Sequence, residues 1–293
     1  MKKKIVNIIF VLVFLFGLSL LLYPYISNKW NEYRQSKLVT QYEQTVVEKE
    51  NIDYSKEWED AKAYNEELLP YILPDSFAIA AMAEEPNEQY MSCLNLAGDG
   101  MMAIVSIPKI KVKIPIYHTT SKEILEKAAG HLEGSSLPIG GEDTHAVISA
   151  HRGLPSASLF TDLDMLEVGD HFLIQVLDAT LCYEVDQIQV VEPTDTACLG
   201  VENGKDLVTL MTCTPYGVNS HRLMVRGHRV EYEPEMVALE EEKAGEEISF
   251  HTNYLFWVVV GVSVTGVVIF VLYLRERRIR KKLHKYIPKR ARK

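Results

Sequence analysis

Two stretches of the chain carry no charge at all, residues 5–23 (IVNIIFVLVFLFGLSLLLY) and residues 255–274 (LFWVVVGVSVTGVVIFVLYL). A helix needs about twenty apolar residues to cross a bilayer, so each run predicts a membrane-spanning helix. Between them the pattern changes twice. Residues 29–69 are polar and helix-prone. In SKEWEDAKAYNEELLP, Ser55 is placed to cap, Glu57 and Glu59 sit where a helix dipole favours acids, and Pro70 stops the helix. Trp58, Ala61, Tyr64 and Leu68 recur at helical spacing and predict one buried stripe on a stalk or support helix. From Met102 the period becomes two. Ile110, Val112, Ile114 and Ile116 alternate with Lys109, Lys111 and Lys113 as a half-buried strand. THAVISAH reads as a short strand, HFLIQVLDATLCYEVDQIQVVEP as two strands around Asp178, Ala179 and Thr180, and DLVTLMTC with HRLMVRGHRVEYEP as a final pair. Short helices are expected in SKEILEKAAG and SASLFTDLDML. Many short strands separated by turn signals predict a mainly β fold, a closed or nearly closed β-barrel.

Charge orders these segments across the membrane. Lys2, Lys3 and Lys4 precede the first apolar run, and RERRIRKKLHKYIPKRARK follows the second. Lys and Arg flanking a span stay cytoplasmic, so both ends are expected inside and residues 24–254 outside. The first run also has the basic start of a secretory signal peptide. It is longer than a typical signal core, and YPYISNKW offers no small-x-small cleavage site, which favours an uncleaved anchor. The resulting organisation is a cytoplasmic start (1–4), an anchor (5–23), a helical stalk with a connecting segment (24–99) and a β-barrel (100–234). An acidic linker (235–254), a second span (255–274) and a basic cytoplasmic tail (275–293) follow. Of the net charge of −9, the basic ends contribute +3 and +10, which leaves −22 for the rest. An outer domain that acidic argues against nucleic acid and suits a basic or amine-bearing partner.

Cys93, Cys182, Cys198 and Cys213 all fall in the outer region. Disulfides are the default in an oxidising exterior, and a Cys182–Cys198 bridge is left open. The domain is long enough to build an ordinary core without one.

Cys213 has a more specific setting. It ends an apolar run, a turn of Pro215, Gly217 and Asn219 follows, and Arg222 begins the next run. Thiol and guanidinium are equidistant from the hairpin centre and can face one another across the pair. A nearby cation favours thiolate, the nucleophilic form. A proton shuttle is also needed, and His151 ends the strand THAVISAH where Gly153 and Pro155 open a loop. His145, at the other end of that strand, points to a different place. His118, His131, His171, His221 and His228 lack such a setting and read as surface or structural histidines. Composition alone leaves Cys213 equally readable as a small, inert core residue.

TLMTC followed nine residues on by HRL resembles the sortase signature, in which one strand carries the nucleophile and the next an essential arginine. SIPKIKVKIPIYHTTS, GHLEGSSLPIGG, HAVISAHRGLPSASLFTDLD, GDHF and TCTPYGVNSHRL together resemble class C sortases, the pilin-polymerising branch, over residues 100–232. The resemblance implies Cys213 as nucleophile, His151 as general acid/base and Arg222 as the cation that orients substrate and stabilises the oxyanion. Arg226 lies four residues further on, on the same strand face, and is a weaker candidate for the arginine role. It implies a cysteine transpeptidase that cuts a Leu-Pro-x-Thr-Gly-like sorting signal between Thr and Gly and passes the acyl group to a pilin lysine. No cofactor or metal is needed. The partners implied are pilin subunits and the cell membrane. Class C enzymes also share an Asp-Pro-aromatic lid. Here LPDSFAIA supplies Asp75 and Phe77, while Ser76 replaces the proline and is expected to loosen the segment. Two alternatives remain at this point: a housekeeping sortase that attaches proteins to cell-wall peptide, and a non-catalytic surface binding module.

Overall fold

A computed structural model of the chain describes residues 2–48, 53–68, 75–79, 87–235, 237–238 and 254–286. The helix stop expected at Pro70, most of the acidic linker and the end of the basic tail lie outside these residues. The chain divides into two compact units, Met1–Tyr25 with Phe250–Lys293, and Ile26–Ser249.

In the first unit the two apolar runs are helical. Helix α1 (Lys2–Glu48) contains the first, and the C-terminal helix Tyr254–Tyr286 contains the second. Both are long and apolar enough to cross a membrane. Leu12, Phe16, Phe256 and Phe270 expose their side chains, as lipid-facing residues would. The expected boundary at residue 24 is not a helix end, because α1 runs on through Pro24.

The second unit contains the rest of α1 and the barrel, and of the two expectations, stalk or support helix, α1 here meets the second. Val39 and Tyr42 are buried against Met101, Ile104, Tyr117 and Ala128. The Tyr42 hydroxyl donates to Met102 O (3.1 Å) and accepts from Leu177 N (3.0 Å). Asn31 Nδ2 donates to Ser156 O (2.6 Å) and Gln35 Nε2 to Lys127 O (3.0 Å). Helix α2 (Ser55–Glu67) buries Ala61 and Tyr64, and Trp58 and Leu68 pack beside the core, as the helical spacing predicts. Its start differs from expectation: Ser55 is the first helical residue and does not cap, and Asp53 Oδ1 accepts the Ser55 N–H (3.0 Å). Two short helices follow, α3 (Ser76–Ile79) and α4 (Glu88–Ser92).

Eight strands close the barrel: β1 (Met101–Ile107), β2 (Val112–His118), β3 (Ala129–His131), β4 (Thr144–Ser149), β5 (His171–Val176), β6 (Ala179–Val191), β7 (Asp206–Thr214) and β8 (His221–Val230). Their order around the wall is β1-β2-β3-β4-β7-β8-β6-β5. Helix α5 (Lys122–Leu125) precedes β3. The alternation expected around Ile110 is split by a 3-10 turn (Pro108–Ile110), so β1 and β2 form a hairpin with Ile107 opposite Val112. Strand β1 is buried throughout because α1 covers its outer face at Met101 and Ile104 while Ala103, Val105 and Ile107 enter the core. Inside, Phe172 and Tyr183 stack with centroids 5.5 Å apart. Gly227 lies against this pair, where a Cβ would come within 2.7 Å of the Phe172 ring. The helix expected in SASLFTDLDML is only a 3-10 turn (Leu163–Met165). Side chains take the backbone groups a helix would use: Thr161 Oγ1 donates to Ser158 O, and Ser158 N donates to Asn28 Oδ1 (2.7 Å).

None of the four cysteines is in a disulfide, so the bridge left open between Cys182 and Cys198 is not formed. Cys182 is buried in β6, and Cys198 Sγ instead lies 3.1 Å from Met224 Sδ. The buried histidines are structural in the expected way. His131 Nε2 faces Ser136 O (2.8 Å) and Nδ1 faces the Tyr90 hydroxyl (2.9 Å), and burial pushes its pKa down to about 4. His145 faces Gly200 O (2.8 Å) and Thr209 Oγ1 (2.7 Å), away from the site described next.

Candidate active site

The direction of three strands decides what meets at one rim of the barrel. Strands β4 and β7 are parallel, with Ser149 opposite Met211, so both end at the same rim. Strand β8 is antiparallel to β7 and therefore starts there. Cys213, next to last in β7, is paired in register with Arg222, the second residue of β8. The mirror-image spacing about the turn thus becomes a cross-strand pair, as predicted. His151 follows β4 by two residues, and counting on from the Ser149–Met211 pair sets it level with Cys213. Phe160 N donates to His151 O (3.1 Å) and fixes the backbone there. Cys213 is 6% exposed and Arg222 8%, while His151 is half-buried.

The segment Asp75-Ser76-Phe77 lies on this rim. Asp75 accepts two hydrogen bonds from Arg222, from Nε (2.6 Å) and Nη2 (2.7 Å), and both side chains are buried. The Phe77 ring is tilted against the His151 ring at 5.3 Å between centroids, and the Arg222 guanidinium stands 5.0 Å from the Phe77 ring centre. Phe77 also packs against the apolar cluster formed by Leu132, Val147, Leu199, Met211 and Met224. Acid and ring therefore cover the cation and the imidazole together. Ser76 is fully buried and adds one contact that a proline side chain lacks: its Oγ accepts from Ser149 Oγ (2.8 Å). Its backbone carbonyl, which a proline would also offer, accepts from Thr120 Oγ1 (3.0 Å). The expected loosening is thus opposed by a polar contact. Sequence reasoning missed Ser149 and Thr120, and neither carries a local signal that would have found them.

This closed arrangement sets the resting charges. Burial pushes the Cys213 thiol up, Arg222 pulls it down, and Asp75 pushes it further up. Burial pushes the His151 imidazole down, with a weak opposing pull from Glu126. At neutral pH Cys213 is thus a thiol and His151 a neutral imidazole, a pair able to exchange a proton. Arg222 Nη1 donates to Asn219 O (3.3 Å) and His221 O (3.1 Å), which aims the guanidinium across the turn.

Arg226, the weaker candidate for the arginine role, is engaged elsewhere. It pairs with Asp186 (2.9 and 2.8 Å) and Glu202 (2.5 Å), and it lies opposite Thr209 rather than Cys213. Among the described residues no group of three or more His, Cys, Asp or Glu is arranged to hold a metal.

The rim and the barrel that carries it have counterparts. A family model described as Sortase domain matches residues 105–230. Sortase D of Bacillus subtilis is 31% identical over 130 residues, which covers 43% of this chain and 63% of that protein, just under two thirds of its length. The crystal structure of Streptococcus pneumoniae sortase C, described in relation to pilin substrate specificity, is 43% identical with a TM-score of 0.62. The match covers 67% of this chain and 97% of that one. Sortase C1 of Streptococcus agalactiae is 46% identical with a TM-score of 0.59, covering 67% of this chain and all of its own.

Proposed function

We propose that this chain, which belongs to the sortase family of cysteine transpeptidases, joins pilin subunits at the outer face of the membrane. The observation that carries the reading is the meeting of Cys213, Arg222 and His151 at one rim, beneath the segment that carries Asp75 and Phe77. Two apolar helices suit an anchored enzyme with both ends cytoplasmic and the barrel outside.

A sorting signal of the Leu-Pro-x-Thr-Gly kind first displaces Asp75 and Phe77. His151 then takes the Cys213 proton, and the thiolate attacks the Thr carbonyl carbon. Negative charge gathers on the carbonyl oxygen beside Arg222, whose donors the displacement of Asp75 has already freed. Collapse breaks the Thr–Gly bond, and imidazolium gives its proton to the departing glycine amine. A neutral lysine amine of the next pilin attacks the thioester and loses its proton to His151. The products are an isopeptide bond and the free thiol, so atoms and charge balance without a cofactor.

Co-incubation of the full chain in detergent with pilins that carry a sorting signal tests this. Ladders that survive boiling in detergent, absent with Cys213→Ala, are the expected result. Transfer to a wall-peptide amine without ladders would make it a housekeeping sortase. Failure to trap any thioester with a sorting-signal peptide would leave only a binding module.

A further inference from the structure

The triplet Thr212-Cys213-Thr214 lies alongside Ala150-His151-Arg152, and the outer members of the two triplets bond to one another. Thr212 Oγ1 donates to Ala150 O (2.8 Å). Arg152 Nη1 donates to Thr214 Oγ1 (3.2 Å). Successive side chains on an extended strand point to opposite faces of the sheet, so Thr212 and Thr214 share one face of the wall and Cys213 lies on the other. The backbone ladder between β4 and β7 ends with Ser149 opposite Met211, and Ala150 N extends it by one bond to Met211 O (3.1 Å). His151 lies just past that end. Side chains continue the alignment where the ladder stops.

Arg152 is placed for this purpose and badly placed for stability. It is 5% exposed, its Nη2 pairs with Asp164 within the turn Leu163–Met165, and its guanidinium lies 5.9 Å from the Tyr216 ring centre. Tyr216 in turn packs on Gly153, where an added Cβ would be 3.0 Å from the ring. Among the described residues the buried Nε has no hydrogen-bond partner. A buried donor left unpaired is costly, and an apolar side chain of similar volume would avoid that cost. The charges that move the Cys213 thiol are Arg222 and Asp75, which leaves Arg152 a geometric task rather than an electrostatic one.

We propose that Arg152 is a positioning residue that clamps the His151 loop to the Cys213 strand through Thr214 and so sets the distance for proton transfer. The inference rests on the functional reading above. Misplacing a reacting group by about 1 Å can cost on the order of a hundredfold in rate, so the clamp should act on turnover.

The test compares full-length wild type, Arg152→Gln, Thr214→Val, Thr214→Ser and the Arg152→Gln/Thr214→Val double variant in detergent. A fluorogenic Leu-Pro-x-Thr-Gly peptide is the probe. Arg152→Gln should lower kcat by roughly ten- to a hundredfold with KM within about threefold. Thr214→Val should lower kcat by a smaller factor, Thr214→Ser should restore it, and the double variant should be no worse than Arg152→Gln alone. A merely structural role would lower Tm and leave the kcat of folded protein untouched. The clamp is overturned by kcat within twofold in both single variants, by a loss carried in KM, or by multiplicative losses in the double. If Arg152→Gln does not fold, the Thr214→Val and Thr214→Ser pair decides the matter, since the change is isosteric. Active wild type with equally active variants removes the clamp alone. Wild type that neither cleaves nor acylates removes the functional reading and this inference together.

Discussion

Asp75→Asn should unmask the Cys213 thiol, and the size of the effect follows from what Asp75 holds. The carboxylate takes two hydrogen bonds from Arg222 at 2.6 and 2.7 Å in a buried setting. Two charges about 4 Å apart attract by about 4 kcal/mol at an effective dielectric of about 20. Part of this is offset when the segment lifts and both groups regain water, which leaves about 2 kcal/mol in favour of closure. Asparagine keeps one acceptor oxygen but sets an NH2 against a guanidinium donor, so most of that contribution goes. Each 1.4 kcal/mol is a factor of ten, so the open fraction should rise roughly ten- to a hundredfold. Alkylation by iodoacetamide reads this directly when opening and closing are fast, because the rate is the open fraction multiplied by the intrinsic rate. Peptide mapping is required because Cys198 is half-buried and can also react. A second sign comes from charge. Asp75 raises the Cys213 pKa, so the midpoint of labelling against pH should fall in the variant. Labelling of Cys213 within twofold of wild type, at unchanged Tm, would refute the picture of a lid held by this ion pair.

The remaining predictions separate holding from catalysis and from stability. Arg222→Lys should speed Cys213 labelling yet slow transpeptidation by about a hundredfold, because a point charge replaces neither the fork on Asp75 nor the one offered to an oxyanion. Both rates moving in the same direction would contradict this. Ser76→Ala removes a buried hydroxyl contact worth about 1 kcal/mol, so labelling should rise about fivefold, and no change would make the Ser149 contact incidental. Acid should destabilise the barrel through His131, whose folded pKa of about 4 lies below its unfolded value of about 6.5. The unfolded chain binds the extra proton, so this stability is complete above pH 6.5 and lost as pH falls toward 4, by roughly 3 kcal/mol. Denaturant titrations of His131→Gln should show a shallower loss over that window than wild type, and an equal slope would place the acid sensitivity elsewhere, with His118 and His145 the next groups pushed down by burial.

What could be read from the chain was local, and what could not was the neighbour across the sheet. The Cys213–Arg222 pair follows from a turn of Pro215, Gly217 and Asn219 between two strands, because hairpin register is set by the residues of the turn itself. The position of His151 beside Cys213 depends on β4 and β7 running parallel, with about sixty intervening residues and no shared turn to announce it; periodicity names strands but not partners. Arg226 shows the same limit from the other side. Spacing sets it on the face of Arg222, but Asp186 on β6 and Glu202 in the approach to β7 claim it, and neither acid is near in sequence. The continuation of α1 past Pro24 and the loss of a helix after residue 155 are likewise decided by distant partners. Asn28, on that extended helix, takes hydrogen bonds from Ser158 N and Oγ, so one contact bears on both departures. Ser76 brings these strands together. As a letter in place of proline it predicts slack, since the unfolded segment gains freedom. In the fold it meets Ser149 on β4 and Thr120 before α5, two residues that only barrel closure brings within reach. Whether the segment is tighter or looser than a proline-bearing one is therefore a balance between chain entropy and one buried hydroxyl pair. Ser76→Pro measures that balance: slower labelling means the entropy wins, and faster labelling means the hydroxyls do.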